Sequence, residues 1–444
     1  MKAYREYKDS GLPWAPNIPK GWEIIPIKHA YHFQTGATPP TKINEFFEGD
    51  NIWANISDLS SKIVNDSFKH ISDDALKVCS MSISPKGSLM FSFKLSVGIV
   101  AFCGCDMYTN EAIATFLKGK NDLNYLYYAG PYFIVKNSNE NIYGAKLLNQ
   151  DLINNAKIFL PPLPEQQAIA SFLDAKTKPI DDIIAKREKQ IELLEEMKSA
   201  IVSRAVTKGL NPNAKMKDSG IEWIKTEPQS WETRRIKNVI TLLTDYDANG
   251  SFADIAKNVK VNVGEPYAWM VRATDLANKR YGIVDDNNYC NKETYDFLSK
   301  SSLEAGDILI AKRGDIGKSY EVPKCDCPMT LAPNTYLLKT NKKVIRNRFF
   351  HYFFMSDYGK KQLSINNKST TIGAIYKDDV KNLKILLPPM DEQQAIASYL
   401  DTETSKIDTR IAKRRKQIEL LQEYKQALIT AAVTGKIDVR EYNS

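Results

Sequence analysis

No stretch of this chain approaches the roughly 18 consecutive apolar residues that a membrane-spanning helix needs, and the N-terminus, MKAYREYKDSGLPW, has no apolar core of signal-peptide length. A soluble, cytoplasmic protein with no membrane partner is expected. Cysteine is sparse: Cys79, Cys103, Cys105, Cys290, Cys325 and Cys327 are six among 444 residues, too few for a disulfide scaffold. The two Cys-x-Cys pairs each put both sulfurs on one face of a strand, but zinc sites use two to four intervening residues and four converging ligands, so buried thiols are expected. The four histidines, His29, His32, His70 and His351, have no metal-ligand spacing on a helix. No metal site is expected.

Catalytic signatures are missing as well. A self-sufficient base methyltransferase needs a Gly-rich cofactor turn and an NPP-aromatic loop to hold a flipped base, and NPN at Asn211 lacks the second proline and the aromatic. GDIGKS, from Gly314 to Ser319, would need a glycine where Lys312 stands to form a phosphate-binding loop. EMK at Glu196 and EYK at Glu423 have no paired acidic residue of the kind a metal-dependent nuclease uses, and no nucleophile elbow is present. The expectation is a non-enzyme: no catalytic residue, and no cofactor bound by this chain.

What the sequence does contain is a duplication. Residues 160–208 read LPPLPEQQAIASFLDAKTKPIDDIIAKREKQIELLEEMKSAIVSRAVTK, and residues 387–435 read LPPMDEQQAIASYLDTETSKIDTRIAKRRKQIELLQEYKQALITAAVTG. They align without a gap, and roughly 30 of about 50 positions are identical, far beyond what helical composition produces. A shorter echo opens each half: KDSGLPWAPNIPKGWEIIPIK from Lys8 and KDSGIEWIKTEPQSWETRRIK from Lys217, with Trp14 and Trp22 matched by Trp223 and Trp231. Lys8 to Lys217 is a step of 209 and Leu160 to Leu387 a step of 227, so the second interior carries 18 more residues. Identity collapses in those interiors. One unit has been copied, its ends held alike and its middle allowed to diverge.

Apolar residues at 43% and charged residues at 26% place the chain with ordinary folded proteins, and its length calls for two or more domains. The interiors read as mixed, strand-rich domains, with VGIVAFC, PYFIV, GDILIAK and NTYLLKT as short strands bounded by Gly, Pro and Asn. The repeats read as helices. Each starts after a Pro-Pro stop with a short EQQAIAS helix, breaks near Pro179 in the first copy or at a capping-box-like Ser405 and Asp408 in the second, and continues as a long helix. The long helices are expected from about Ile180 to Val206 and from about Ile407 to Val433. Their apolar stripes are Ile180, Ile184, Ile191, Leu194, Met197 and Ile201, matched by Ile407, Ile411, Ile418, Leu421, Tyr424 and Leu428, with the mixed three-and-four spacing of a coiled-coil seam. Two such helices can pack on one another about a pseudo-twofold axis, and each, at about 27 residues, would span about 40 Å. The expected division is 1–159, a first variable domain; 160–210, a first helical spacer; 211–386, a second variable domain; and 387–444, a second spacer and tail.

Lys plus Arg number 61 against 53 Asp plus Glu, a formal charge of +8, which suits a polyanionic partner. Two domains held about 40 Å apart are close to one turn of B-DNA, roughly 34 to 36 Å. Because the interiors differ, the two would read different half-sites in double-stranded DNA, giving a bipartite, asymmetric target with an unread gap. The repeated LPP-x-x-EQQAIAS segments, the SG-x-x-W openings and the closing TAAVTGKIDVR resemble specificity subunits of Type I restriction-modification systems over essentially the whole chain. The resemblance implies an α+β chain of two mixed α/β target-recognition domains separated by two long helices packed as an antiparallel coiled coil. It also implies docking of two adenine-N6 methyltransferase subunits, with restriction-translocase subunits joining in the nuclease form, so that S-adenosylmethionine, ATP and Mg belong to partner subunits. The alternative is an architectural DNA-bridging protein without a methyltransferase partner.

The TNEA of Thr109 to Ala112 resembles a recognition-domain signature, making Asn110 a candidate DNA contact; its counterpart TLAPN, Thr330 to Asn334, departs from it. Further candidates lie beside glycine turns: Ser92 and Lys94 in the first half, Lys312, Arg313 and Lys318 in the second, and a patch of Arg272, Lys279 and Arg280. Arginine can read guanine with two hydrogen bonds whereas lysine mostly positions on phosphate, so Arg272, Arg280 and Arg313 are the candidates for specificity. Glu165, Gln166 and Gln167, repeated as Glu392, Gln393 and Gln394, are the candidates for docking two copies of one partner.

Overall fold

In the computed structural model, which describes residues 2–140, 146–284, 286–313, 317–366 and 375–442, each repeat folds as one uninterrupted helix, Leu163–Lys208 and Met390–Val433. The expected break near Pro179 does not occur. Proline there removes one backbone donor, but residues on both sides are held by packing, Ile169, Phe172 and Leu173 before it and Ile180 after it being buried. Ser405 likewise caps nothing; its carbonyl accepts from the Thr409 hydroxyl inside the helix. The two expected pieces are one helix in each copy, so the estimate of about 27 residues falls short of the 46 and 44 observed.

The chain divides into two compact units, residues 1–187 with 416–444, and residues 188–415. Portions of both long helices run through each unit, and their pairing is antiparallel. In the second unit Glu195 meets Arg415 at 3.1 Å and Lys198 meets Asp408 at 2.7 Å, so one number falls as the other rises. In the first unit Asp181 meets Lys425 at 2.6 Å. Asp181 and Asp408 occupy the same repeat position, as do Lys198 and Lys425, so each unit holds the same pair with the roles of the two copies swapped. Each is at least half-solvated on one side and contributes about 0–1 kcal/mol; what these pairs fix is register. Along the stripes Ile180, Ile407, Ile411 and Leu428 are buried and Ile184, Ile191, Leu194, Ile201, Ile418 and Leu421 half-buried, whereas Met197 and Tyr424 are exposed.

Each unit joins a long helix to its domain in the same way. The third strand of each half, Glu23–Pro26 or Glu232–Arg235, pairs antiparallel with the strand leading into the long helix, Lys157–Leu160 or Lys384–Leu387. At the far ends, Gly209 and Gly435 close the two helices in the left-handed region, at φ 73° and 70°. A side chain would be strained at both: the left-handed backbone disfavours it, and at Gly435 a Cβ would also stand 2.4 Å from the Pro19 ring. These shared junctions account for the likeness of the ends of the repeat.

The divergent interiors are built on related sheets. The first is five-stranded, in the order Phe33–Thr35, Ile113–Phe116, Leu89–Ser92, Val100–Cys103, Ile63–Val64. The second is four-stranded, in the order Ile240–Asp245, Thr335–Thr340, Ile308–Ala311, Ser319–Glu321. PYFIV is not a strand. It lies in the helix Leu123–Lys136, whose Leu123, Tyr125, Leu126, Tyr128, Ala129, Phe133 and Ile134 are all buried; a run buried on several sides shows the same apolar string in either conformation. Among the described residues no helix is long and apolar enough to cross a membrane.

Candidate nucleic-acid interface

Two antiparallel hairpins stand at equivalent places in the sheets: Leu89–Ser92 with Val100–Cys103, and Ile308–Ala311 with Ser319–Glu321. Their connecting loops carry most of the cations singled out above. In the first loop Ser92 is fully buried; its hydroxyl donates to the Ser96 carbonyl and accepts from the Ile99 amide at 2.9 Å. Ser92 therefore braces the loop from inside, and burial removes it as a base-contacting group. Lys94 is exposed over the Phe93 ring, and Leu95 beside it is 94% exposed at φ 59°.

The second loop is anchored differently. Lys312 donates to Asp247 at 2.8 Å and Asp245 at 3.2 Å with its side chain 13% exposed, and Lys377 reaches the other Asp245 oxygen at 2.9 Å. Burial alone would depress the Lys312 pKa, but the two carboxylates outweigh it and hold the ammonium charged above its usual range. Lys312 is consumed as an anchor. Arg313 and Lys318 are surface residues on either side of residues 314–316, the GDI of GDIGKS, which lie outside the described residues.

The third cationic patch is likewise partly internal. Asp275 is fully buried, accepts from the Arg272 guanidinium at 2.7, 3.0 and 3.1 Å, and lies 3.6 Å from Arg280. Arg280 also reaches Asp286 at 3.5 Å. Both arginines are thus oriented by carboxylates, and Lys279 is the exposed cation of the three, on a left-handed turn at φ 54°. Asn110 is half-buried and its side-chain oxygen accepts from the Ala112 amide at 3.1 Å, which shapes the TNEA turn. Close by, the Thr38 hydroxyl donates to Glu111, and a Cβ at Gly36 would collide with the Thr109 carbonyl.

The repeated Glu-Gln-Gln triplets face both ways. Gln166 is buried; its amide donates to the Pro161 carbonyl at 2.8 Å and Asn121 at 3.0 Å and accepts from the Asp122 amide at 3.0 Å. Gln393 repeats this with Pro388 at 2.9 Å, Val344 at 3.1 Å and the Arg346 amide at 2.8 Å. Asp122 and Arg346 are the N-caps of Leu123–Lys136 and Asn347–Met355, so each glutamine fastens an interior helix to its long helix. Glu165 accepts from the Tyr4 hydroxyl at 2.5 Å and Glu392 from the Trp231 indole at 2.9 Å. Four of the six are spent inside the chain, while Gln167 and Gln394 are exposed.

Among the described residues no group of three or more His, Cys, Asp or Glu side chains is placed to hold a metal ion. The cysteines are free thiols; burial pushes Cys103 up to about 12 and Cys290 up to about 11, and the Cys325 and Cys327 sulfurs lie 2.7 Å apart.

The Type I restriction modification DNA specificity domain matches this chain twice, over residues 19–193 and 228–420. The MjaIX specificity subunit of a Type I restriction enzyme from Methanocaldococcus jannaschii is 24% identical, with 98% of this chain and 97% of that protein aligned. The EcoKI specificity subunit of Escherichia coli K12 is also 24% identical, over 95% of this chain and 90% of its own length. A solved chain from a study of complex assembly and conformational transition of the type I R-M system superposes with a TM-score of 0.65 at 15% identity, covering 95% of this chain and 99% of that one. That likeness concerns the fold.

Proposed function

The chain belongs to the Type I restriction-modification DNA specificity family, and from that premise we propose that it reads a bipartite DNA target for a partner that carries the chemistry. It is a specificity subunit, a DNA-binding component and not a catalytic one. Residues 1–159 and 211–386 are the recognition domains, each reading one half of an asymmetric site. The helices within 160–210 and 387–444 set the unread gap and dock two adenine-N6 methyltransferase subunits, with two restriction-translocase subunits joining in the nuclease form. S-adenosylmethionine, ATP and Mg act on those partners.

The observation that carries this reading is the exchange of Asp181–Lys425 with Asp408–Lys198. A chain whose helices make the same pair in each unit, with the copies swapped, offers a like surface twice to two copies of one partner, while its two hairpin loops, one braced by Ser92 and the other by Lys312, differ. Within the loops Arg313 suits base contacts, and Lys94, Lys279 and Lys318 suit phosphates. Gln167 and Gln394 are the exposed members of the two triplets and suit docking. Co-expression with a methyltransferase subunit tests this: light scattering should give two such subunits per chain, and the complex should hold its target against excess random duplex. One partner per chain, or equal competition by random duplex as an architectural DNA-bridging protein would show, contradicts it.

A further inference from the structure

Where each interior domain leans on its long helix, the structure repeats a polar joint. In the first unit the Tyr128 hydroxyl donates to Asp174 at 2.5 Å and lies 3.2 Å from the Thr177 hydroxyl. In the second, Tyr352 donates to Asp401 at 2.7 Å and lies 3.2 Å from Thr404. Asp174 and Asp401 are one repeat position, and Thr177 and Thr404 another. Burial and the hydrogen bond to Asp401 push the Tyr352 phenol up to about 12, and burial with Asp174 raises Tyr128 further, so both remain donors at neutral pH.

A cation completes each joint, but the two come from different places. Lys62, which precedes the edge strand Ile63–Val64, meets Asp174 at 2.5 Å, and its carbonyl accepts from the Phe102 amide of the first hairpin at 2.8 Å. Arg348, one turn before Tyr352, meets Asp401 at 2.6 Å and Glu321, the last residue of the second hairpin's outer strand, at 2.9 Å. Both solutions link the outer strand of a hairpin to the same carboxylate of the repeated helix. Phenylalanine would fill the tyrosine sites without a desolvated hydroxyl, and the ion pairs are too solvated to add much stability. A polar network kept twice, with independently built cations, fixes geometry more than it adds stability.

We propose that Asp174 and Asp401 are positioning residues that lock the angle of each hairpin on its long helix and thereby restrict the complex to one gap length in its DNA target. This rests on the bipartite reading above. The test uses the full chain with its methyltransferase subunit, acting on the motif its own methylation defines and on duplexes with the gap one base pair longer or shorter. Wild type should methylate the native gap alone. Tyr352→Phe and Asp401→Asn, and likewise Tyr128→Phe and Asp174→Asn, should lower the preference for the native gap by about tenfold while the native site is still methylated, the loss expected when a hydrogen bond to a charged group is removed. Equal loss on all three duplexes, or unchanged preference in the conservative tyrosine variants, overturns the proposal. A wild-type complex whose motif has no gap overturns the reading beneath it, and this inference with it.

Discussion

Gln166 and Gln393 lie on the inward faces of their helices, in step with Ile169 and Leu173 in one copy and Ile396 and Leu400 in the other. That spacing is visible in the sequence, and it is the signal that separates them from Gln167 and Gln394. Identity between repeats alone does not separate docking from packing, because both demands preserve residues. Gln166→Ala or Gln393→Ala should destabilise the chain by about 2–4 kcal/mol by stranding buried backbone groups, read as a lowered urea midpoint. Gln167→Ala and Gln394→Ala should leave the midpoint in place and weaken methyltransferase binding. His351 is a second residue whose setting no motif reveals: it sits beside Ser319 at 3.1 Å, and loss of hydration, with Arg348 nearby, pulls its pKa from 6.5 down to about 3. The unfolded chain therefore takes up a proton first, so its contribution is present above about 6.5 and is lost as pH falls from there toward about 3. His351→Gln should flatten the fall in stability with acid over that window. A slope identical to wild type would contradict the assignment.

At the scale of elements, the helices were legible in their apolar stripes and two strands of the second sheet in GDILIAK and NTYLLKT, whose cores became Ile308–Ala311 and Thr335–Thr340. PYFIV and Pro179 were not. A short apolar run inside a core has no solvent-facing residues to reveal its period, and a proline's cost of about 3 kcal/mol in a helix interior can be met by packing that sequence does not display. Pro179 stands where the second copy has Lys406, inside a helix of the same length class. Pro179→Lys should restore the missing backbone hydrogen bond and raise stability by about 1–3 kcal/mol, measured by denaturant unfolding. An unchanged or lowered midpoint would mean that the proline shapes the helix in a way the second copy does without.

For the whole molecule, the duplication counts the domains but does not announce that the C-terminal tail completes the first of them. Residues 416–444 belong to the N-terminal unit, where the Asp438 amide donates to the Lys2 carbonyl at 2.8 Å and Val439 is buried in the same core as Trp22. Those contacts join the two ends of the sequence, and no local pattern encodes them. The division of labour is clearer: shared ends build junctions and helix pairing, and divergent middles build hairpin loops with different cations and different anchors. The most direct test is sequencing of methylated adenines in DNA from cells expressing this chain with its methyltransferase subunit. A single motif made of two unlike specified parts separated by a fixed unread gap is expected. A symmetric or ungapped motif would contradict it.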